Sequence, residues 1–113
     1  MLTESRPWGQ YTILEDAPTH KVKRIVVNPH SKLSYQSHAN RSEDWTIVSG
    51  EGIVLFNDAE YRVKVGHHFK MPVGSKHRMI NDGDSELVFI EVQTGTYFGE
   101  DDIIRYSDDY NRV

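Results

Sequence analysis

Between Leu33 and Gly50 the chain reads LSYQSHANRSEDWTIVSG, and this stretch holds the residue types best suited to chemistry. Gln36 and His38 stand two positions apart, and Glu43 follows five later. Along a strand, residues i and i+2 share a sheet face, so Gln36 and His38 point the same way. From Glu43 onward the same parity carries Trp45 and Ile47, large apolar groups that seek a core, while Asp44, Thr46 and Val48 fall on the other face. The alternation therefore predicts Glu43 inward and Asp44 outward. Two potential metal-binding side chains and a carboxylate facing one interior describe a site better than a surface. Imidazole and carboxylate suit zinc, and also iron, manganese or nickel, so the ligand types do not select the ion.

Other residues join this candidate set by position. The segment KVKRIVVN, Lys21 to Asn28, is β-branched and alternating, and Arg24 shares a face with Val22 and Val26. An arginine on an otherwise apolar strand face needs a partner or an anionic ligand. The flanking Lys21 and Lys23 could assist Arg24 in holding an anion, but solvated lysine is the commoner case. Glu91 shares a face with Phe89 and Gln93 on the strongest strand of the chain, Glu86 to Gln93, which makes it a pocket carboxylate. His20, His30, His67 and His68 lie in loops or at strand ends and read as surface residues, and Trp8 and Trp45 read as core or interface.

The elements that must position these groups are short strands. Strands are expected around Gln10 to Glu15, over Lys21 to Asn28, from Ile53 to Phe56 and from Glu60 to Val65. Asp16-Ala17-Pro18, Asn28-Pro29-His30-Ser31, Asn57-Asp58, Pro72-Val73-Gly74 and Asn81-Asp82-Gly83-Asp84 are turn signals, and Gly50-Glu51-Gly52 reads as a tight hairpin. Trp8, in the opening Arg6-Pro7-Trp8-Gly9, anchors an N-terminal arm, residues 1–10. In the tail, residues 95–113, Glu100-Asp101-Asp102 suits the opening of a short helical turn. No long stretch has helical periodicity, and many short strands with regular turns imply an all-β sandwich or barrel.

At 113 residues the chain suits one domain with a real core, and 37% hydrophobic against 27% charged residues is a globular rather than a disordered balance. A net charge of -4 without a basic run gives no support to nucleic-acid or anionic-membrane binding. The absence of cysteine excludes disulfides, thiolate metal sites and cysteine nucleophiles. No apolar run approaches a membrane span, and MLTESRPWG lacks the hydrophobic segment of a signal peptide, so a soluble cytoplasmic protein is the expectation.

Two patterns resemble the cupin family, whose fold is the double-stranded β-helix, a jelly-roll barrel. Gly66, Pro72, Gly74, His77 and Asn81 meet every element of its second motif. His38, Glu43 and Gly50 fit the first motif, but Asn40 stands where a second histidine is usual. Within cupins the chain resembles the C-terminal isomerase domain of bifunctional mannose-6-phosphate isomerase / mannose-1-phosphate guanylyltransferase. The resemblance runs through RPWG, KVKRI, LSYQSH and IEVQTGTYFGEDDIIR, and on to an Asp-Tyr-Arg region at the end. It implies a metal-dependent isomerase that interconverts mannose 6-phosphate and fructose 6-phosphate. The related zinc-dependent monofunctional isomerases imply a ligand set of Gln36, His38, Glu43 and His77, which does not need Asn40.

Such a reaction moves a proton between C1 and C2 and stabilises an enediolate oxygen, a task for a divalent ion. Glu91 is the candidate general base, and a metal-bound water is the alternative. The phosphate needs a fixed cation, for which guanidinium is well shaped. Arg24 and Arg105 are the first candidates, with Arg41 third. The resemblance favours Arg24 as functionally important. A strand-adding arm, RPWGQY, implies a homodimer. Two other functions stay open on the same scaffold: a non-catalytic carbohydrate-binding or regulatory cupin, and a different small-molecule enzyme such as a nucleotide-sugar ketoisomerase or an oxygenase.

Overall fold

A computed structural model describes residues 2–107. In chain order the strands are β1 (Leu2–Arg6), β2 (Gly9–Asp16), β3 (His20–Val27), β4 (Ser31–Lys32), β5 (Tyr35–Ser37), β6 (Arg41–Ser49), β7 (Glu51–Phe56), β8 (Ala59–Lys64), β9 (His68–Met71), β10 (His77–Asn81), β11 (Leu87–Gly95) and β12 (Ile104–Ser107). The described residues contain no helix. One antiparallel sheet has the order β1-β2-β3-β11-β6-β9 and the other β12-β5-β10-β7-β8, with β4 beside β10. This is the all-β jelly-roll arrangement that the turn spacing implies.

Strands that are neighbours in sequence mostly lie in different sheets, and one expectation fails for that reason. Gly50-Glu51-Gly52 is not a hairpin: β6 pairs with β11 and β9, whereas β7 pairs with β10 and β8. Gly50, at φ 80°, turns the chain from one sheet to the other, and a Cβ there would lie 2.5 Å from the Glu86 carbonyl oxygen. Only glycine tolerates both that dihedral and that approach. Asn57-Asp58 does close a hairpin. Both residues have positive φ, 46° and 70°, and they join Phe56 to Ala59 in the two-residue turn that matches strand twist.

The interior is apolar at one end and polar at the other. On β11, Leu87 and Phe89 enter the hydrophobic core, while Glu91 and Gln93, one pleat further along the same face, are also buried. On β6, Ile47 and Trp45 pack into the core, and Glu43 and Arg41 continue the same row. The registers Phe89↔Ile47, Glu91↔Trp45 and Gln93↔Glu43 place these rows side by side. Trp8 is buried in the core, as an anchor should be.

Two differences lie at the ends of the chain. The arm folds back within the chain, because β1 pairs with β2 through the full register Leu2↔Ile13 to Arg6↔Gly9. In the tail, Glu100-Asp101-Asp102 opens no helix. A single turn closed by the Asp102 N–H on the Gly99 carbonyl, 3.1 Å, leads into β12, which pairs with β5. The terminal Asp-Tyr-Arg region lies outside the described residues.

Candidate metal centre

His38, Glu43 and His77 converge at the polar end of the barrel, with ligand atoms within 4.8 Å of one another and all three side chains buried. Each comes from a different place: Glu43 from β6, His77 from the start of β10, and His38 from the loop between β5 and β6. Gln36, on β5, is paired with His77 in the ladder and lines the same cavity. Its amide nitrogen donates to the Ser34 carbonyl at 3.3 Å.

The protonation of these groups follows from their partners. His38 Nδ1–H donates to the Asp102 carbonyl at 2.6 Å, so Nε2 is left as an acceptor. Burial, then the neighbouring Arg41 charge, lowers the His38 pKa, and burial, then His38, lowers that of His77 to about 3. Both imidazoles are therefore neutral near pH 7. His38 Nε2 faces Glu43 Oε2 at 3.2 Å, and His77 Nε2 faces Glu43 Oε1 at 3.5 Å. Lone pair against carboxylate is repulsive unless a cation or proton lies near. Among the described residues, neither of the buried ring nitrogens of His77 has a hydrogen-bond partner. Two neutral imidazoles and a carboxylate, arranged in this way, fit a divalent metal ion.

Arg41 also reaches the cluster. Its Nε donates to Glu43 Oε2 at 2.9 Å, and Nη2 lies 3.3 Å from His38 Nε2. The arginine is itself buried and supplies positive charge at the place where the acceptors meet.

Glu91 lies beside the cluster, joined to it by tryptophan. Trp45 Nε1 points between the two carboxylates, 3.1 Å from Glu43 Oε1 and 3.0 Å from Glu91 Oε1. Gln93 donates to the other Glu91 oxygen at 2.7 Å. Burial first, and the Glu43 charge second, raise the Glu91 pKa to about 7. A carboxyl poised near neutrality can both take and return a proton.

The cationic candidates separate. Arg105, on β12, lines the cavity, and among the described residues its buried Nε has no hydrogen-bond partner. Arg24 does not line the barrel: it is exposed on the outer face of β3. The expected alternation has the wrong sign there, since both faces of KVKRIVVN carry β-branched residues. The inward face is Lys23, Ile25 and Val27, so the residue expected in solvent, Lys23, is buried in the cavity wall. Asp44 is on the outer face, as predicted, with His68 and Lys70 at 3.1 and 3.3 Å. His30, His67 and His68 are exposed and His20 is partly so.

Asn81 of the glycine-proline-histidine pattern is a rivet rather than a ligand. Its amide nitrogen is within hydrogen-bond reach of the Val27, Asn28 and Ser85 carbonyls at 3.0, 3.1 and 2.8 Å. The group that sequence reasoning misses is Asp102. Besides its carbonyl on His38, its carboxylate accepts the Ala39 and Asn40 N–H groups at 3.0 and 2.9 Å. The acidic run GEDDIIR is the available signal, but no local pattern ties it to a loop more than sixty residues earlier.

Comparison with known proteins agrees with this architecture. The chain is 42% identical over 108 residues to the xanthan biosynthesis protein XanB of Xanthomonas campestris pv. campestris, covering 96% of this chain and 23% of that protein. It is 41% identical over 108 residues to the alginate biosynthesis protein AlgA of Pseudomonas aeruginosa, covering 96% and 22%. The chain thus spans less than a quarter of these relatives. The capsular polysaccharide assembling protein CapF of Staphylococcus aureus shares the fold with a TM-score of 0.83 at 24% identity, covering 95% of this chain and 34% of that one. A cupin 2 conserved barrel domain protein of Salinispora arenicola aligns with a TM-score of 0.68 at 20% identity over 75% and 74% of the two chains. The fold is the cupin double-stranded β-helix. Residues 2–108 match the family described as mannose-6-phosphate isomerase C-terminal, and the chain belongs to that family.

Proposed function

We propose that this domain is a metal-dependent sugar-phosphate isomerase that interconverts mannose 6-phosphate and fructose 6-phosphate. The observation that carries the reading is the junction of the His38–Glu43–His77 cluster with Glu91 through one indole N–H. His38, Glu43 and His77, with Gln36 as a fourth donor, hold the ion, zinc in the first instance, with manganese, nickel or iron as alternatives. When bound, such an ion supplies Lewis-acid stabilisation of negative charge on the sugar oxygens. Glu91 takes the proton from C2 and returns it to C1, a second proton passes from the C2 hydroxyl to the C1 oxygen, and the reaction is neutral in protons overall. Arg105 binds the phosphate and Arg41 fixes Glu43. Family membership and the cavity's cations support a sugar phosphate as the substrate class.

One observation favours a second reading. Arg41 already satisfies Glu43 and approaches His38 Nε2, as expected of a metal-free carbohydrate-binding cupin. Metal analysis decides between them. Protein purified without chelator should carry near-stoichiometric divalent metal that is lost in His38→Ala and in His77→Ala. It should also turn over mannose 6-phosphate, with Arg105→Ala raising KM. Failure to retain zinc, manganese, nickel or iron even after reconstitution would overturn the isomerase reading in favour of the binding one.

A further inference from the structure

Four cationic side chains line the cavity: Arg6, Lys23, Arg41 and Arg105. Arg6 is matched by Glu4 at 2.8 Å and Arg41 by Glu43. Lys23 is matched by Glu100, and this pair is unlike the others. The Lys23 side chain is only 5% exposed, with Nζ held 4.2 Å above the Tyr11 ring. A cation so far from water needs an anion beside it. Yet the anion comes from a side chain 48% exposed, on a turn 77 positions away that belongs to no strand. Glu91 faces Lys23 across the β3–β11 ladder and feels its charge, but Trp45 and Gln93 hold its oxygens and the direct ion pair of Lys23 is with Glu100. The cavity wall thus has a buried cation whose contact anion is half exposed.

We propose that Lys23, backed by the Tyr11 ring, is an anion seat of the cavity, and that Glu100 is its internal occupant, displaced when the phosphate of the substrate enters. The seat rests on the sugar-phosphate reading above and deepens it. With Glu100 withdrawn, the four cations of the lining face three carboxylates, Glu43 and Glu91 in the wall and Glu4 on Arg6, and one positive charge is left over. That excess attracts a phosphate monoester, whose charge at neutral pH is about -1.5 to -2. Guanidinium from Arg6 or Arg105 and ammonium from Lys23 together offer the donors that three phosphate oxygens accept. The turn carrying Glu100 is tied down beside the seat by Asp102 and by the Gly99 carbonyl, 3.4 Å from Arg41 Nη1, so Glu100 can swing out without unfolding a strand.

The test uses inorganic phosphate as the probe, measured calorimetrically on the whole chain. Replacing Glu100 by Gln removes the competing charge while keeping its size, so Glu100→Gln should bind phosphate about tenfold tighter than the wild type, the scale of one charge-assisted contact. Lys23→Met should lose that binding, and Lys23→Met combined with Glu100→Gln should not regain it. Lys23→Arg, which keeps the charge, should retain it, and circular dichroism checks that each variant is folded. If Lys23→Met does not fold, Glu100→Gln alone decides. Unchanged or weaker phosphate affinity in Glu100→Gln, or binding that survives in folded Lys23→Met and disappears only in Arg105→Ala, would overturn the proposal. Turnover assays separate it from the parent reading. Tightening without isomerase activity removes the isomerase and keeps the seat, whereas turnover without tightening does the reverse.

Discussion

Glu91 concentrates the chemistry at the scale of single residues. Its carboxyl is buried between Trp45, Gln93 and a second carboxylate, and each of burial and like charge favours the protonated form. The folded-state pKa, about 7, lies above the ordinary 4.5. The stabilisation this gives is therefore complete below about pH 4.5 and is lost as pH rises through 7. In metal-free protein, Glu91→Gln should abolish this loss. Its stability relative to the wild type should increase between pH 5 and pH 8 by a few kcal/mol, since each tenfold change in proton affinity is worth about 1.4 kcal/mol. The lowered values of His38 and His77 act in the opposite direction on acidification, and since the Glu91 charge holds both up, its removal lowers them further and keeps both imidazoles neutral. Parallel urea-denaturation behaviour of the two proteins across that range would rule this out. With metal restored, the same variant should lose roughly 10²- to 10⁴-fold in turnover, the usual contribution of a positioned base.

At the scale of elements, the decisive piece is the irregular segment between β11 and β12. It contributes no strand and no ligand, yet it orients His38 through the Asp102 carbonyl and grips the His38–Arg41 loop through the Asp102 carboxylate. Such outer contacts fix which imidazole nitrogen faces the metal, and their loss commonly costs 10- to 100-fold in affinity. Asp102→Ala keeps the carbonyl but releases the Ala39 and Asn40 N–H groups that hold it against His38, and should weaken metal binding by about tenfold, the low end of that range, while circular dichroism stays that of the wild type. Competition with a chromophoric chelator would measure it. An unchanged metal affinity would reduce the carboxylate to a surface cap. An acidic run suits a helix N-terminus, which is why the sequence points to a helical start here. Instead its carboxylates meet backbone amides and Lys23 across the barrel.

At the scale of the whole molecule, the barrel divides its interior into an apolar end that holds it together and a polar end that holds the site. Leu87, Phe89, Ile47, Val54 and Met79 form the first, and Glu43, Glu91, His77 and Lys23 the second. The sheet that contains Glu43 and Glu91 ends at β1, whose outer side has no strand beside it among the described residues. An unpaired edge is a template for another strand, and Leu2 on it is 57% exposed. The arm is paired within its own chain, so the homodimer expected from its sequence would have to form by adding a strand at this edge. Light scattering after size exclusion should give a dimer mass at micromolar concentration, and a monomer mass would end this idea.

Alternation and turn chemistry are the parts of this molecule that can be read without coordinates. Periodicity two puts Glu43, Trp45 and Ile47 on one face and Asp44 on the other, and the glycine, proline and asparagine signals bound most strands. The glycine-proline-histidine pattern locates His77 and with it the cluster. Packing of the two sheets settles what alternation leaves undetermined. A strand with apolar residues on both faces has a parity but no inward sign, so only pairing with β2 and β11 turns Lys23 inward and Arg24 out. Nor does local sequence say which sheet a strand enters: β6 and β7 part at Gly50, where the chain passes so near the Glu86 carbonyl that a Cβ would collide with it. The links that make the site, Asp102 to His38 and Glu100 to Lys23, join segments more than sixty residues apart. They exist because closing the barrel brings the tail to its polar end, a consequence of topology that no short window of sequence contains.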